Sequence, residues 1–447
     1  MVFNKLFNQV IEKVSVNQQH IVVTGLSRSG KSTLFTSLMA QLLQRTYGGD
    51  DHQPLPLLKT LPLDRLMDVE FVDNDDDTPR FPYQEHFNQL KQRQWPASTR
   101  SVSAFAIRLA FEREYEWLAQ VVGQEKRQLN IYDYPGEWLM DLPLIEKSFA
   151  DWSAQVLAQQ LSEPQKTHAK DWQALLDQFD FDQQPTVDTT DQLIQAYRAY
   201  LMQAKADGIS ILQPGAMLFE DTWDWRGQGF CPLPSKISID PSHAWTRCFQ
   251  SRYDDFVTQW LKPLQKRFFA HADKQIILLD LMEGLNFGKA YLSEMKEALN
   301  HLVSSFVYGK REWYQRFHQP LGIVKVAFVV TKADLVPQDQ HANLLQLLKD
   351  ISQGAVQQLQ DKDVEVEFFL VSSLIATKPD NQAHSLMYKH PSGETRIARF
   401  DDIPQRISDW REGDFYPYLK ALPPKIEQEG DIRAMNFDRL LDYMLKD

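Results

Sequence analysis

The chain has 447 residues, of which 43% are hydrophobic and 24% are charged, and its formal net charge at pH 7 is -12. This length predicts a folded protein with about two or three domains. The acidic balance with scattered basic residues argues against a broad electrostatic surface for nucleic acid, with a local basic patch as the alternative. The two cysteines, Cys231 and Cys248, have neither zinc-site nor disulfide spacing, which favours a reducing cytoplasm.

The first predicted element is an amphipathic helix. In residues 1–14, MVFNKLFNQVIEKV, apolar side chains recur at spacings of three and four and would form one stripe. We expect this stripe to cover the protein's own core, and peripheral contact with a membrane is the alternative. No apolar run reaches the roughly 18 to 20 residues that span a bilayer, and no secretion signal is recognisable, so we expect a cytoplasmic location.

Short apolar runs rich in β-branched residues alternate with helical patterns along the rest of the chain. Continuously apolar runs are typical of strands that are covered on both faces. Strands that alternate with helices predict an α/β fold with a mostly parallel, doubly wound sheet. The predicted strands are 20–24, 103–111, 127–133, 275–281, 323–330 and 365–371, and the predicted helices are 32–46, 252–272, 289–306, 341–360 and 434–446.

A glycine-rich loop lies between the first predicted strand and the helix that follows it. Its sequence, GLSRSGKS, fits the pattern G-x-x-x-x-G-K-[ST]. Glycines let such a loop turn its backbone N–H groups towards phosphate oxygens, and the helix adds its positive N-terminal end. Lys31 would reach the β- and γ-phosphates, and the Ser32 hydroxyl would bind Mg²⁺. The alternative is an accidental Gly/Ser turn. The predicted nucleotide contacts in this loop are Ser27, Arg28, Ser29, Gly30, Lys31, Ser32 and Thr33.

A second motif, TKAD at 331–334, directly follows the apolar strand 323–330 and matches the [NT]-K-x-D signature of GTP-binding proteins. Asp334 could accept hydrogen bonds from the N1–H and the exocyclic amine of guanine, while the stem of Lys332 lies over the base. Adenine has no such pair of donors. The motif therefore predicts GTP or GDP as the ligand, and the alternative is a polar cap after a strand.

A third motif, DYPG, ends the strand 127–133 and matches D-x-x-G. Asp133 would hold Mg²⁺ through a water, and the backbone N–H of Gly136 would bind the γ-phosphate. The alternative is a Pro-Gly turn that leaves a strand. Upstream, Thr99 is the predicted residue that completes the Mg²⁺ shell, with Ser98, Ser101 or mere strand entry as alternatives.

Together these motifs resemble those of the translation-factor-like P-loop GTPases. The stretches GLSRSGKSTLF, YDYPGEWLMDLPL and FVVTKADLV resemble the YcjX-like family of bacterial P-loop proteins, over nearly the whole chain. The resemblance implies a P-loop NTPase fold of the GTPase type that binds and hydrolyses GTP with Mg²⁺, in a bacterial stress response beside a companion inner-membrane protein. It also implies that the loop Ser372-Ser373-Leu374 contacts guanine, with Ser373 and Leu374 as the predicted contacts. The family has also been labelled a predicted ATPase, so the base stays open.

The residue after D-x-x-G is Glu137, where signalling GTPases place a Gln that orients the attacking water. An ionised Glu would be repelled by the γ-phosphate and cannot donate a hydrogen bond as an amide does, so we expect slow hydrolysis. Arg28 is a candidate internal arginine finger, with a solvent-facing loop residue as the alternative, and Arg100 is a second candidate. The predicted catalytic residues are Lys31, Arg28, Thr99, Gly136 and Glu137, and the predicted metal ligands are Ser32, Thr99 and Asp133.

Two long segments interrupt the alternation of strands and helices and predict insertions into one GTPase core. Residues 47–94 are rich in Pro, Asp and Gln, and residues 139–274 carry no signal of a buried strand and are mainly helical. Alternation around Pro391–Gly393 predicts a hairpin. We expect a core of 1–46, 95–138 and 275–379, an insertion near switch I at 47–94, a mainly helical inserted domain at 139–274, and a hairpin and C-terminal helix at 380–447 that pack on the core.

Three functions remain open at the level of sequence. The first is a regulatory GTPase whose nucleotide state rearranges residues 95–101 and 134–145 and alters the surface offered to an unknown protein partner. The second is an ATP-dependent motor or kinase. The sequence shows no separate group of substrate-binding residues, as a kinase would need, and no recognisable arginine finger of the kind that a motor would need. The third is a nucleotide-stabilised scaffold with little turnover. A preference for GTP over ATP separates the first from the second.

Overall fold

The computed structural model contains a seven-stranded sheet with helices on both of its faces. It describes residues 16–25, 29–47, 55–56, 58–72, 79–97, 103–112, 124–133, 135–209, 211–219, 222–269, 272–304, 306, 308 and 322–446. The strands of the large sheet are β1 Val16–Gly25, β2 Leu66–Val72, β3 Ser103–Phe111, β4 Glu125–Asp133, β5 Lys274–Leu279, β6 Lys325–Val330 and β7 Glu365–Leu370.

The sheet is mixed but mostly parallel, in the order β2-β3-β4-β1-β5-β6-β7. Strand β1 pairs in parallel with β4 and β5, and β5–β6 and β6–β7 are also parallel. The pairs β2–β3 and β3–β4 are antiparallel. Every residue of β5 and β6 is buried, because helices cover both faces, and this burial accounts for their continuous apolar runs. The predicted α/β fold class of the P-loop NTPases is confirmed.

Strand β2 is not among the strands predicted from the sequence, and it lies inside the range 47–94. It forms one edge of the sheet against β3, and only Val69 of its seven residues is buried. Three of its seven residues are exposed and three are partly exposed, as on an edge strand that is only partly covered. Its sequence LMDVEFV has two acidic residues among five apolar ones and lies amid acidic and proline-rich text, so its strand signal is weak.

Helices make up most of the chain between β4 and β5. Within the described part of 139–274, no strand precedes β5, and the apolar core of these helices is continuous with one face of the sheet. That this segment is a separate domain stays a prediction. The helices of the protein are α1 Lys31–Tyr47, α2 Tyr83–Lys91, α3 Gly136–Leu139, α4 Phe149–Gln159, α5 Gln165–His168, α6 Lys170–Gln178, α7 Val187–Ala206, α8 Ser235–Ser238, α9 Ala244–Asp255, α10 Lys262–Phe269, α11 Leu281–Phe287, α12 Lys289–Ser304, α13 His341–Gln360 and α14 Phe437–Leu445.

The predicted hairpin and C-terminal helix are confirmed. Strands β8 Thr377–Pro379, β9 Ser385–Lys389 and β10 Thr395–Arg399 form a small antiparallel sheet, with the turn between β9 and β10 at the predicted position. Helix α14 packs with α1 on the opposite face of the large sheet from the helices of 139–274.

The amphipathic stretch 1–14 lies outside the described residues. None of the helices that the structure describes has the length and apolarity needed to cross a bilayer.

Candidate nucleotide-binding site

Four loops that follow strands β1, β4, β6 and β7 line a single cavity of ≈ 390 Å³. In an open, doubly wound sheet, ligands bind beyond the carboxyl ends of the parallel strands, and this cavity lies at those ends. Its volume is in the range of small-molecule sites. The predicted residues that line it are Ser29, Gly30, Lys31, Ser32, Thr33, Gly136, Glu137, Lys332, Asp334, Ser373 and Leu374.

The glycine loop is shaped by close packing at its two glycines. A Cβ on Gly25 would lie 2.8 Å from both the Cβ and the carbonyl oxygen of Leu278 on β5, so only glycine fits where β1 ends. Gly30 has φ +85, a left-handed conformation that favours glycine, and α1 begins at the next residue. The buried hydroxyl of Ser29 lines the cavity and has no hydrogen-bond partner among the described residues. This orphaned donor fits an anionic ligand.

Lys31 and two carboxyl groups bring opposite charges together at this end of the cavity. The Lys31 ammonium donates a hydrogen bond to the carbonyl of Gly25 at 2.9 Å. Burial lowers the pKa of Lys31, whereas the charges of Asp133 and Glu137 act in the opposite direction. Asp133 is fully buried at the end of β4. The arrangement places a cation and hard oxygen ligands together, as a site for phosphate and Mg²⁺ requires.

Glu137 is paired with a lysine that the sequence analysis did not identify. The Nζ of Lys205, on α7, donates to the Oε1 of Glu137, and the Glu137 side chain is 5% exposed. Burial by itself would raise the pKa of Glu137, but the attraction and hydrogen bond of Lys205, with the charge of Lys31, lower it. The two paired residues are 68 positions apart, and no local pattern relates them.

The backbone around Glu137 is also held by the helical segment. Both carboxylate oxygens of Asp141 accept hydrogen bonds, from the backbone N–H of Gly215 at 2.7 Å and from that of Ala216 at 2.8 Å. Burial raises the pKa of Asp141 to about 8, although these two donors oppose the shift. A Cβ on Gly215 would lie 2.0 Å from the carbonyl oxygen of Glu137. Helix α3 is therefore in direct backbone contact with Gly215.

Asp334 at the other motif is oriented by the loop after β7. The hydroxyl of Ser372 donates to its Oδ1 at 2.5 Å, and the backbone N–H of Ala376 donates to its Oδ2 at 2.8 Å. A carboxylate has about four lone-pair positions, so both oxygens retain capacity to accept from a ligand. Burial raises the pKa of Asp334, and these donors oppose that shift. Sequence reasoning placed Ser372 in the same loop as Ser373 and Leu374, but it did not identify the hydrogen bond from Ser372 to Asp334.

Lys332 has a strained backbone and a fixed side chain. Its φ of 55 is in the left-handed region, which is uncommon for a residue with a Cβ. Its ammonium donates to Asp280 at 2.6 Å and to the Tyr418 hydroxyl at 3.2 Å. Burial opposes the charge, but Asp280 outweighs it and raises the pKa of Lys332. These bonds hold the side chain at the cavity wall, where the sequence analysis expects its stem to face a base.

Residues 20–447 match the model of the YcjX-like family, DUF463. The chain belongs to this family. A relative from Escherichia coli (strain K12), Ras-like GTPase YcjX, is 31% identical over 385 residues, which cover 84% of this chain and 81% of the relative. Ras-like GTPase YcjX from Shewanella oneidensis is 27% identical, with 98% of this chain and 95% of the relative covered. A solved signal recognition particle receptor SRb-GTP/SRX complex from Chaetomium thermophilum matches at a TM-score of 0.27 and 14% identity, over 79% of this chain and 93% of that chain.

In this YcjX-like chain, the C-terminal segment supplies a wall of the cavity that sequence reasoning missed. Residues 418–421 line the cavity together with Trp95 and Pro96. The indole Nε1–H of Trp95 donates to the carbonyl of Ala421 at 2.7 Å. The wall has no regular secondary structure, so neither helical nor strand periodicity could reveal it.

Some predicted residues of the family site remain predictions. The metal ligands Ser32, Thr99 and Asp133 stay predictions, since Mg²⁺ at such sites takes much of its shell from phosphate and water oxygens. In the part of the chain that the structure describes, no group of three or more His, Cys, Asp or Glu side chains could hold a metal ion. The Ser32 hydroxyl, at the cavity, donates to the carbonyl of Ala97 at 3.1 Å. The predicted or alternative residues outside the described residues are Ser27, Arg28, Ser98, Thr99, Arg100 and Ser101.

Proposed function

We propose that this protein binds GTP and GDP in the cavity and hydrolyses GTP slowly with Mg²⁺, as a nucleotide-controlled regulatory switch in a bacterial stress response. One observation carries the proposal. The glycine loop, with Lys31 and Ser32, and the carboxylate of Asp334 line the same cavity. A phosphate-binding loop and an acceptor for guanine donors in one cavity form the pair of features that a guanine nucleotide requires.

The choice of guanine rests on Asp334. Ser372 and Ala376 fix its carboxylate, which supports two further hydrogen bonds from the N1–H and the amine of guanine. Adenine offers no such pair, so an ATPase is disfavoured. The relatives from Escherichia coli and Shewanella oneidensis are each named Ras-like GTPase YcjX, which supports the same choice. Ser373 and Leu374 would contact the base from the adjacent wall.

The phosphate end would bind the triphosphate and Mg²⁺. Lys31 would contact the β- and γ-phosphates, and the backbone N–H of Gly136 would contact the γ-phosphate. Ser32 would hold the metal directly and Asp133 through a water, with Thr99 completing the shell. Mg²⁺ supplies neutralisation of phosphate charge when it is bound. The buried carboxyl of Asp133 and the hydroxyl of Ser32 at the cavity are oxygen ligands of the kind that this ion prefers.

Slow hydrolysis follows from Glu137 in place of a glutamine. Its pKa is lowered by Lys205 and Lys31 against the effect of burial, so it is ionised at neutral pH. An ionised carboxylate can accept a proton from water but cannot donate to the γ-phosphate, which repels it. Arg28 remains the proposed internal arginine finger. We further propose a cytoplasmic protein with peripheral contact at the inner membrane, where the companion protein would be its partner.

The experiment is nucleotide titration of the purified full chain. We expect submicromolar to micromolar GDP and GTP affinity, preference over ADP and ATP by about 100-fold, and Mg²⁺-dependent phosphate release. Lys31→Ala should remove most of the affinity for GDP and GTP, because it removes a contact to their phosphates. Lys236→Ala, at an exposed position of α8, should leave these affinities unchanged. Equal binding of adenine nucleotides, or binding that survives Lys31→Ala, would contradict the proposal. Binding without any phosphate release would leave a nucleotide-stabilised scaffold.

A further inference from the structure

The inference begins with the position of Lys205. This residue is on α7, in the segment between β4 and β5, and its ammonium contacts the carboxylate of Glu137. Glu137 lines the cavity, whereas Lys205 is not among the lining residues. The Lys205 side chain is 23% exposed and that of Glu137 is 5% exposed, so the pair is largely shielded from solvent. Lys205 can therefore act on a bound nucleotide through its contact with Glu137, and its charge also acts on Lys31.

The backbone contacts show that this pair belongs to a built arrangement. Asp141 accepts two backbone hydrogen bonds from Gly215 and Ala216, and Gly215 is in contact with the backbone of Glu137 itself. The indole of Trp138 packs edge-on against the ring of Phe219 at 6.1 Å between centroids. Glu137 and the residues that follow it are thus anchored to the same segment that carries Lys205.

The charged groups around Glu137 show how Lys205 affects the ionisation of this carboxyl group. Lys31 on α1 and Lys205 on α7 both attract Glu137, and Asp141 beyond α3 is an acidic group whose pKa the charge of Glu137 raises further. Asp133 at the end of β4 faces Lys31. A buried carboxylate that loses its cation partner takes up a proton or moves towards solvent. Lys205 and Lys31 therefore both favour the ionised form of Glu137, and the hydrogen bond from Lys205 orients its carboxylate.

We propose that Lys205 is a positioning residue for GTP hydrolysis, which makes the helical segment after D-x-x-G a part of the hydrolytic site. The inference rests on the proposed GTPase function. In the step, water oxygen bonds to the γ-phosphorus while the bond from that phosphorus to the β–γ bridging oxygen breaks, and GDP leaves with the electron pair. The Glu137 carboxylate accepts the proton of the attacking water and passes it to the phosphate product or to solvent.

The test compares Lys205→Met with Lys205→Arg in the full chain. We expect Lys205→Met to lower kcat about tenfold or more and to change GDP affinity by less than about threefold, while Lys205→Arg keeps kcat within about threefold. The acid limb of the kcat profile should move to higher pH in Lys205→Met, because Glu137 loses the nearer cation that lowers its pKa. Lys236→Met on α8 is the matched control and should behave as the parent chain does.

A double-mutant cycle tests whether Lys205 acts through Glu137. In the Glu137→Gln background, Lys205→Met should change kcat by less than about twofold. Full additivity would overturn the inference, as would a Lys205→Met enzyme with parental kcat and pH profile. A loss of kcat, GDP affinity and melting temperature together, without rescue by Lys205→Arg, would indicate a structural role and also overturn it. If the parent chain binds GDP but releases no phosphate from GTP, the proposed GTP hydrolysis is wrong, and the positioning role of Lys205 is then wrong as well.

Discussion

Asp334→Asn changes the base specificity that we propose, with little change in shape. In the parent protein, Oδ1 of Asp334 accepts from Ser372 at 2.5 Å and Oδ2 accepts from the N–H of Ala376 at 2.8 Å. An asparagine can keep one oxygen towards Ala376 and can donate its amide N–H to the Ser372 hydroxyl. The fold should therefore lose only about 1 kcal/mol of unfolding free energy, at the low end for a perturbed buried hydrogen bond.

The effect on the nucleotide should be larger. Guanine would offer two donors to Asp334, and hydrogen bonds to a charged group contribute about 1.5–3 kcal/mol each. Loss of both corresponds to about 3–6 kcal/mol, or a GDP affinity about 10²- to 10⁴-fold weaker. Xanthine has a carbonyl where guanine has its exocyclic amine, so it accepts from the asparagine amide. We expect the Asp334→Asn protein to bind xanthosine diphosphate more tightly than GDP.

Titration of fluorescent GDP, ADP and xanthosine diphosphate measures this change, together with a thermal melt of each protein. Asp361→Asn, at an exposed position after α13, is the matched control and should leave all three affinities unchanged. A GDP affinity that stays within about threefold of the parent value would refute the role of Asp334. A loss of all three affinities with a fall in melting temperature would refute the claim that the substitution is specific to the base.

Three further predictions concern residues around the cavity. Gly215→Ala would place a Cβ 2.0 Å from the carbonyl of Glu137, so the unfolding free energy should fall by about 2–3 kcal/mol, as measured in urea. Asp141 has a folded-state pKa of about 8 against 3.8, so the folded protein binds more protons between these values. The stability that protonated Asp141 contributes should therefore be lost as pH rises through that window. In urea denaturation measured across this pH range, Asp141→Asn should reduce the dependence of the unfolding free energy on pH. Trp95, bonded to Ala421 in the cavity wall, should change its fluorescence when GDP binds, and Trp95→Phe should remove that signal.

The sequence by itself determined the elements whose residues are consecutive. The order strand, glycine loop and helix from His20 to Tyr47 follows from β-branched residues, two glycines and helical periodicity in one stretch. Continuous apolar runs indicate the buried strands β5 and β6, and turn residues indicate the hairpin between β9 and β10. Each signal is local, because backbone conformation and burial of a whole strand act over a few neighbouring residues.

Only the tertiary structure decided which distant side chains meet. Lys205 reaches Glu137 across 68 positions, and Trp95 meets Ala421 across 326 positions. These pairs depend on how helices and an irregular segment pack against the sheet, and no periodicity in either partner encodes the other. The edge strand β2 was not predicted for a related reason. Its pairing with β3 stabilises the extended conformation that its own half-exposed residues do not specify. The local sequence thus determined which loops form the site, and tertiary packing determined which distant side chains lie beside them.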